Sequence, residues 1–528
     1  MHAKYISYQE TNSFSAIVLD YLDGKDALQP FYQHKPDLAG FNSAIAQQNR
    51  TLNRGLLTEV LQKQYKETSH GALVAENIQL LANENTFTIT TGHQLNIFTG
   101  PLYFIYKIVT AINLAKQLKQ QFPQYNFVPI YWMATEDHDF EEINHVKVED
   151  KMLTWEKEAA GATGRLNTKD IQEVLTAYKG YLGISENGEN LAELVDKAYA
   201  LHATLAAATR ALVNGLFGKQ GLVCLDADER ELKQQFSAIA FQDITEQHSF
   251  NNISTANTAL EAAGYKTQVN PREINFFYMA DQLRERIIQE GDGYRVNNTA
   301  ISFTKDTLQQ EINNFPERFS PNVIMRPLYQ EVILPNLAYI GGGAEVTYWL
   351  QLKSNFDFYK VPFPVLLLRN SALVIDEQSA RKMHILGIDH KELFKSNTAL
   401  KNGWIKTHVN LELSLEDERR AITALFEHIK LDAFKIDKTL SQATDGAKTK
   451  AIKLIYSLEK KMLRAEKRKH ITSLNQIDAL KNKLFPTGVL QERVLNIAPQ
   501  YIVHGDDFIN ALLESFQPLK HQFTILYA

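Results

Sequence analysis

The chain has 528 residues, 44% hydrophobic and 22% charged, with a formal net charge of -5 and one cysteine. A single hydrophobic core stops growing near ~250–300 residues, so the chain must divide into more than one unit. The charge supplies no field that would gather nucleic acid, and one cysteine excludes both a disulfide framework and a multi-cysteine metal site.

No signal-length apolar run follows Met1, and the most apolar stretch, residues 363–368, is far short of the ~20 residues a spanning helix needs. A cytoplasmic protein with no membrane or nucleic-acid partner is expected.

Residues 1–85 read as helical and polar, with Leu57, Val60, Leu61 and Tyr65 at helical spacing. The pattern then changes. The β-branched run Thr86-Phe87-Thr88-Ile89-Thr90-Thr91 ends at Gly92 and predicts a strand closed by a backbone break. Residues 102–118 predict a helix, and Phe127-Val128-Pro129-Ile130-Tyr131-Trp132-Met133-Ala134 predicts a second strand that runs into charge at Glu136. Strand, glycine turn, helix and buried strand make a βαβ unit, hence an α/β fold with a parallel sheet.

Further core strands are predicted at residues 221–226, at Val323-Ile324-Met325-Arg326 and at 365–369. Residues 151–215 are mixed and then helical, and 265–303 read as an antiparallel meander turning at Gly291-Asp292-Gly293. Cys224, between Val223 and Leu225, reads as a buried structural thiol. From Ser414 a helix is predicted to about Leu440, broken at residues 441–446. A longer helix then carries Leu454, Leu458 and Met462 and stops at Pro486. Two long helices around a tight break predict an antiparallel coiled coil. The lysines between Lys448 and Lys469 read as its solvated face.

Three clusters can carry chemistry. Ligands of a parallel sheet sit beyond the carboxyl ends of its strands. At the first such end, Thr90-Thr91-Gly92-His93 is similar to a signature of nucleotidyltransferases and class I aminoacyl-tRNA synthetases. There Gly92 admits a ligand to the backbone, and the next helix N-terminus could bind an anion. At the second, residues 136–145 put Glu136, Asp137, His138, Asp139, Asn144 and His145 after a buried strand. They could ligate a divalent ion, bind a substrate ammonium or act as base toward an amine. At the third, Arg326 offers a fork for carboxylate or phosphate, and the glycines before Glu345 and Tyr348 open a helix with free amides.

Taken together, Thr91-Gly92-His93-Gln94 through Asn96 and Thr99-Gly100-Pro101-Leu102-Tyr103, Tyr131-Trp132 with Glu136 to Phe140, Ile143-Asn144-His145, Arg326-Pro327 with Gln330-Glu331, Glu345 to Trp349, and Gln491-Glu492-Arg493 with Asn496 resemble the bacillithiol-biosynthesis cysteine-adding enzymes, a family of cysteine ligases. The resemblance implies a Rossmann-like catalytic core at 86–376, with insertions at about 151–215 and 229–320. It implies a helical region at 377–528, with a coiled coil at about 414–485 that supports a homodimer.

It also implies an amide bond between the carboxyl of L-cysteine and the amine of glucosaminyl-malate, with activation by ATP and Mg2+ and no tightly bound metal. The catalytic candidates are His138, Asp139, Asp137 and His93. The substrate- or nucleotide-binding candidates are Thr91, Gly92, Gln94, Asn96, Thr99, Gly100, Glu136, Asn144, His145, Arg326, Gln330, Glu331, Gly342, Gly343, Glu345 and Tyr348. His93 stands where members of the family often carry Gln, so a hydrogen-bonding role suits it better than an obligatory acid. Two rival readings are a metal-dependent amide hydrolase built on His138, Asp139 and His145, and a scaffold whose working part is the coiled coil.

Overall fold

The run Thr86–His93 forms strand β1, buried at every residue, as a strand covered on both faces must be. The structure, a computed structural model, describes residues 1–48, 52–408 and 414–528. Helix α1, Leu102–Gln121, crosses over to β2, Asn126–Met133. With β3 at Val223–Asp226, β4 at Asn336–Gly341 and β5 at Val365–Leu368, the parallel sheet has the order β5-β4-β1-β2-β3. Phe87, Ile89, Leu114, Leu118, Leu337 and Ile340 pack its core together with Phe41 and Ile45 from the N-terminal region. That region also opens with a strand, His2–Ser7, beside the last strand of the chain, Gln522–Tyr527.

In the parallel sheet one predicted strand is absent and one was missed. At 323–326 the Asn322 side chain accepts the amides of Ile324 and Met325, at 2.9 and 3.3 Å, and bends the chain. Arg326 therefore does not end a strand. It begins helix α2, Arg326–Ile333, with Pro327 in the first turn, where a missing N–H costs nothing. The strand lies one step later, as β4. Its signal is masked by Asn336 at one end, whose side chain accepts from Thr88 and Thr90 inside the sheet at 3.0 and 2.8 Å, and by glycines at the other.

Between β2 and β3 lie a hairpin, His145–Val148 with Lys151–Thr154, and helices ending at Phe217. Between β3 and β4 lies the predicted meander, a five-stranded antiparallel sheet that includes Phe276–Ala280 and Leu283–Glu290. Among the described residues no helix is long and apolar enough to cross a membrane.

The chain divides into two compact units: residues 1–9, 13–373 and 491–526, and residues 10–12, 374–490 and 527–528. The second contains the coiled coil. Its helices are α4, Glu416–Ile436, and α5, Leu440–Lys469, once α3, Gly343–Leu350, is counted at the edge of the sheet. Ion pairs Lys430–Asp445, Glu427–Lys448 and Arg419–Glu459 step outward from the turn, so the two helices run antiparallel. The break falls at residues 437–439, where Asp437 accepts from the amide and hydroxyl of Thr439. Residues 441–446, read as the break, are inside α5. A helical glycine such as Gly446 costs only about 1 kcal/mol, which the pairing of the helices offsets. The helical run to Leu484 is interrupted at His470.

Candidate active site

The carboxyl ends of β1, β2 and β4 open into two adjoining cavities. The first, of about 340 Å3, is lined by Gly92, His93, Gln94, Lys107, Tyr339, Glu345 and Tyr348. The second, of about 540 Å3, is lined by Glu136, Asp137, Arg272, Phe277, Arg284 and Arg286. Trp132, Ala134, Val323 and Arg326 belong to both walls. Arg326 is thus the cation common to the two. Its guanidinium meets Gln330 at 3.1 Å and the Tyr348 hydroxyl at 3.4 Å, and it lies over the rings of Trp132 and Tyr339.

Gly92 is required by close approach, because a Cβ there would stand 3.2 Å from the Tyr339 hydroxyl. Lys107, buried on α1, donates to the Gly92 carbonyl at 2.8 Å and pairs with Glu345 at 2.5 Å. Glu345 also accepts from the Gly342 amide and the Tyr339 hydroxyl. Burial opposes its ionisation, but Lys107 and these donors hold it below the ordinary carboxylate value. The His93 ring stacks on Phe104, and its Nε2 is buried with no hydrogen-bond partner among the described residues. Burial, with Lys107 and Arg369 nearby, pushes this imidazole well below its ordinary pKa. It is therefore neutral at pH 7, and suited to a hydrogen bond rather than to acid catalysis.

Two anion sites expected from helix N-termini are filled by the protein itself. The Gly342 amide belongs to Glu345, and the Leu102 amide at the start of α1 donates to the Leu495 carbonyl at 2.8 Å. The loop before α1 holds Phe98 and Thr99 at φ of 50° and 72°, a left-handed conformation that costs such residues energy. Asn496 keeps it there by donating to the carbonyls of Phe98 and Gly100 at 2.8 and 2.7 Å. Asn96 underlies Gly100 and donates to the Glu142 carbonyl. Thr99 is spent on this loop. Thr91, Gln330 and Glu331 are structural as well: Thr91 bonds the Ile340 carbonyl, and Gln330 with Asn336 ties Glu331 between α2 and β4.

The acidic run separates into individual tasks. Glu136 is buried against Lys233 at 2.5 Å, and Lys233 also meets Asp228 at 3.0 Å. Burial raises the Glu136 pKa, against the pull of Lys233. Asp137 accepts from Gln94 and from the His138 amide, each at 2.7 Å. Burial opposes its ionisation, but the His138 side chain 3.6 Å away, Gln94, the Arg284 charge and the Asp139 amide bring it down to about 2.

A carboxyl more acidic in the folded chain stabilises the fold above its unfolded pKa of about 3.9 and loses that contribution as pH falls through the folded value. The unfolding free energies of wild type and Asp137→Asn, from denaturant titration, should therefore differ most above pH about 4 and converge toward pH about 2. A gap independent of pH would count against the assignment.

His138 is exposed, and its Nδ1 lies 2.8 Å from Arg284 Nη1. A guanidinium only donates, so Nδ1 accepts and the ring proton resides on Nε2. Asp139 caps the short helix Phe140–Ile143 through the Glu142 amide. His145 Nδ1 lies within 3.1 Å of both the Glu141 carbonyl and Asn144 Oδ1. It lines a third cavity, of about 460 Å3, with Gln94, Asn96, Lys147 and Arg493. His138, Asp139 and His145 thus do not converge, and among the described residues no group of three or more His, Cys, Asp or Glu side chains could hold a metal. The hydrolase reading loses its site.

Lys107, Lys233, Arg272, Arg284 and Arg286 escaped the sequence reading. Lys107 alone left a trace, a lysine among Ile105, Tyr106, Ile108 and Val109.

Residues 1–370 match the family model "Bacillithiol biosynthesis BshC, N-terminal Rossmann-like domain", and residues 372–528 match "Bacillithiol biosynthesis BshC, C-terminal coiled-coil domain". A relative from Flavobacterium psychrophilum is 46% identical over 99% of this chain and 98% of its own. One from Flavobacterium johnsoniae is 45% identical over 99% of both, and one from Christiangramia forsetii 42% over 100% and 99%. All three bear the name "Putative cysteine ligase BshC".

Proposed function

We propose, because the chain belongs to the BshC family of bacillithiol biosynthesis, that it joins the carboxyl of L-cysteine to the amine of glucosaminyl-malate. The observation that carries this reading is the pair of cavities sharing Arg326. A condensation needs an acid and an amine brought together beside one cation that can follow the carboxyl oxygen as its charge grows.

The strand-end cavity suits the acid. ATP with Mg2+, when bound, would supply the leaving group that a free carboxylate lacks. The side chains here that fit its phosphate oxygens are Arg326 and the unpaired Nε2 of His93. The larger cavity suits the amine substrate, whose malyl end carries two carboxylates. Arg272 and Arg286 face it, exposed and without an ion-pair partner among the described residues, while Asp137 offers a charge to the ammonium.

Mass spectrometry of the full chain with cysteine and glucosaminyl-malate, with and without ATP, tests the reading. A new amide that depends on nucleotide is expected, and no amide under either condition would overturn it. The double variant R272Q/R286Q should raise KM for glucosaminyl-malate at least about 10-fold with kcat little changed, since each lost bond to a charged group is worth about 1.5–3 kcal/mol and acts in ground and transition state alike.

A homodimer through the coiled coil belongs to the same proposal. Leu425, Ile429, Phe434 and Leu454 are exposed on its helices. Light scattering on the purified chain would decide it. A cytoplasmic setting fits a chain whose sole cysteine is free and buried.

A further inference from the structure

We infer that Glu136 is the general base that takes the proton from the attacking amine as the amide forms. The inference rests on the ligase reading and assigns a role that reading leaves open. The argument begins with what the neighbouring candidates are already doing. Arg284 occupies the Nδ1 lone pair of His138, so that ring can offer a proton from Nε2 but has no site to accept one. Asp139 is committed to a helix cap and is exposed. Asp137 accepts from Gln94 and from the His138 amide, bonds that stabilise its charge and make it a weak base.

Glu136 differs on each count. It follows directly from β2, lies in the wall of the larger cavity and is 8% exposed. It is held by a chain of buried charges rather than by the solvent. Lys233 bridges it to Asp228, and Arg165 grips Asp228 through two bonds of 2.8 and 3.0 Å. Asp226 is set apart by the Thr135 hydroxyl at 2.5 Å. The charged and titratable groups that act on Glu136 are Lys233 and Asp228 from the segment after β3, Arg284 from the meander, Arg165 from the segment between β2 and β3, and Tyr329 from α2. Arg284 also stacks on Phe277 at 3.9 Å and meets the Ser320 hydroxyl, so its charge is held in place in the same cavity wall. Burial raises the proton affinity of Glu136 above that of an exposed carboxylate, which is the change a base needs to work near neutral pH.

The step balances without another reactant. The amine nitrogen bonds to the activated acyl carbon, the bond from that carbon to its leaving group breaks, and the nitrogen's extra proton passes to the Glu136 carboxylate. It returns to solvent or to the leaving group once the product departs. Arg326, on the shared wall, would take up the negative charge that grows on the carbonyl oxygen.

The test compares full-length wild type, Glu136→Gln and Lys233→Met. Amide formation is followed from pH 6 to 9, and glucosaminyl-malate binding is measured by calorimetry. Glu136→Gln should lower kcat about 100- to 10,000-fold while the dissociation constant changes little. Its residual rate should climb about tenfold per pH unit, as the amine loses its proton to water instead, where the wild-type rate levels off. Lys233→Met, which leaves the carboxylate buried without its cation, should move the acid limb of the wild-type profile to higher pH. The assignment is overturned if Glu136→Gln keeps a rate within about threefold and the wild-type profile, if its loss is explained by weaker binding, or if the Lys233→Met limb does not move. If wild type makes no amide, the ligase reading falls first. If wild type makes it and Glu136→Gln equals it, only the base assignment falls.

Discussion

Replacing Arg326 by alanine should lower kcat/KM for amide formation by about 100- to 1,000-fold, the usual effect of deleting one preorganised donor aimed at a developing oxyanion. The size follows from position. Among the described residues Arg326 is the only charged side chain lining both cavities, and it is set in place by Gln330, Tyr348 and two aromatic faces rather than by a carboxylate. Its charge is therefore not neutralised before substrate arrives. Lysine should rescue only part of the loss, because an ammonium has the charge but not the planar fork. Steady-state kinetics on Arg326→Ala and Arg326→Lys, with unfolding midpoints measured alongside, gives the answer. A well-folded alanine variant within about threefold of wild type would remove Arg326 from the mechanism.

The second large effect concerns stability. Glu492→Ala should cost about 3–5 kcal/mol, the penalty for stranding a buried charge. Arg369 and Glu492 are 5% and 0% exposed and meet at 2.6 Å. The second carboxylate oxygen of Glu492 accepts the Ala372 amide at 3.0 Å, and Arg369 continues to the Asn370 carbonyl and the Ser371 hydroxyl. Removing Glu492 leaves a buried guanidinium without its ion-pair partner. The double variant Arg369→Met with Glu492→Ala removes both charges and should recover much of the loss, since replacing a whole buried pair by apolar groups is often near neutral. Denaturant unfolding of the two singles and the double measures the coupling. A Glu492→Ala penalty below about 1 kcal/mol would show that water or another group takes over. The pair joins residues more than a hundred positions apart, so its loss should also loosen the Asn496 clamp that follows.

Much of the architecture was legible from residue order. The βαβ unit at 86–133, the meander and the antiparallel coiled coil all follow from periodicity and turn chemistry, which act over a few residues. Errors came where a distant partner overrides a local pattern. Asn336 belongs in a strand because Thr88 and Thr90, far back in the chain, satisfy its amide. Gly446 stays helical because a second helix packs beside it. Arg326 starts a helix because Asn322 bends the chain ahead of it.

The site shows the same division. The residue types at Gly92, His93, Glu136 and Asp137 mark two strand ends, Arg326 opens a helix, and the structure puts all five in the walls of the two cavities. The sequence by itself determined the βαβ unit, the helical hairpin and the chemistry available at the first two strand ends, because those depend on neighbours in the chain. Tertiary structure alone decided which groups remain free for a substrate. It spent Thr91, Gln330, Glu331 and the Gly342 amide on internal bonds and turned His145 toward another cavity. It brought Lys107, Lys233 and three arginines of the meander into the walls or behind them. The physical reason is that a polar group can act on a ligand only if no protein partner has claimed its hydrogen bonds, and which partners reach it, near in the chain like Glu345 for Gly342 or remote like Ile340 for Thr91, is settled by the folded backbone.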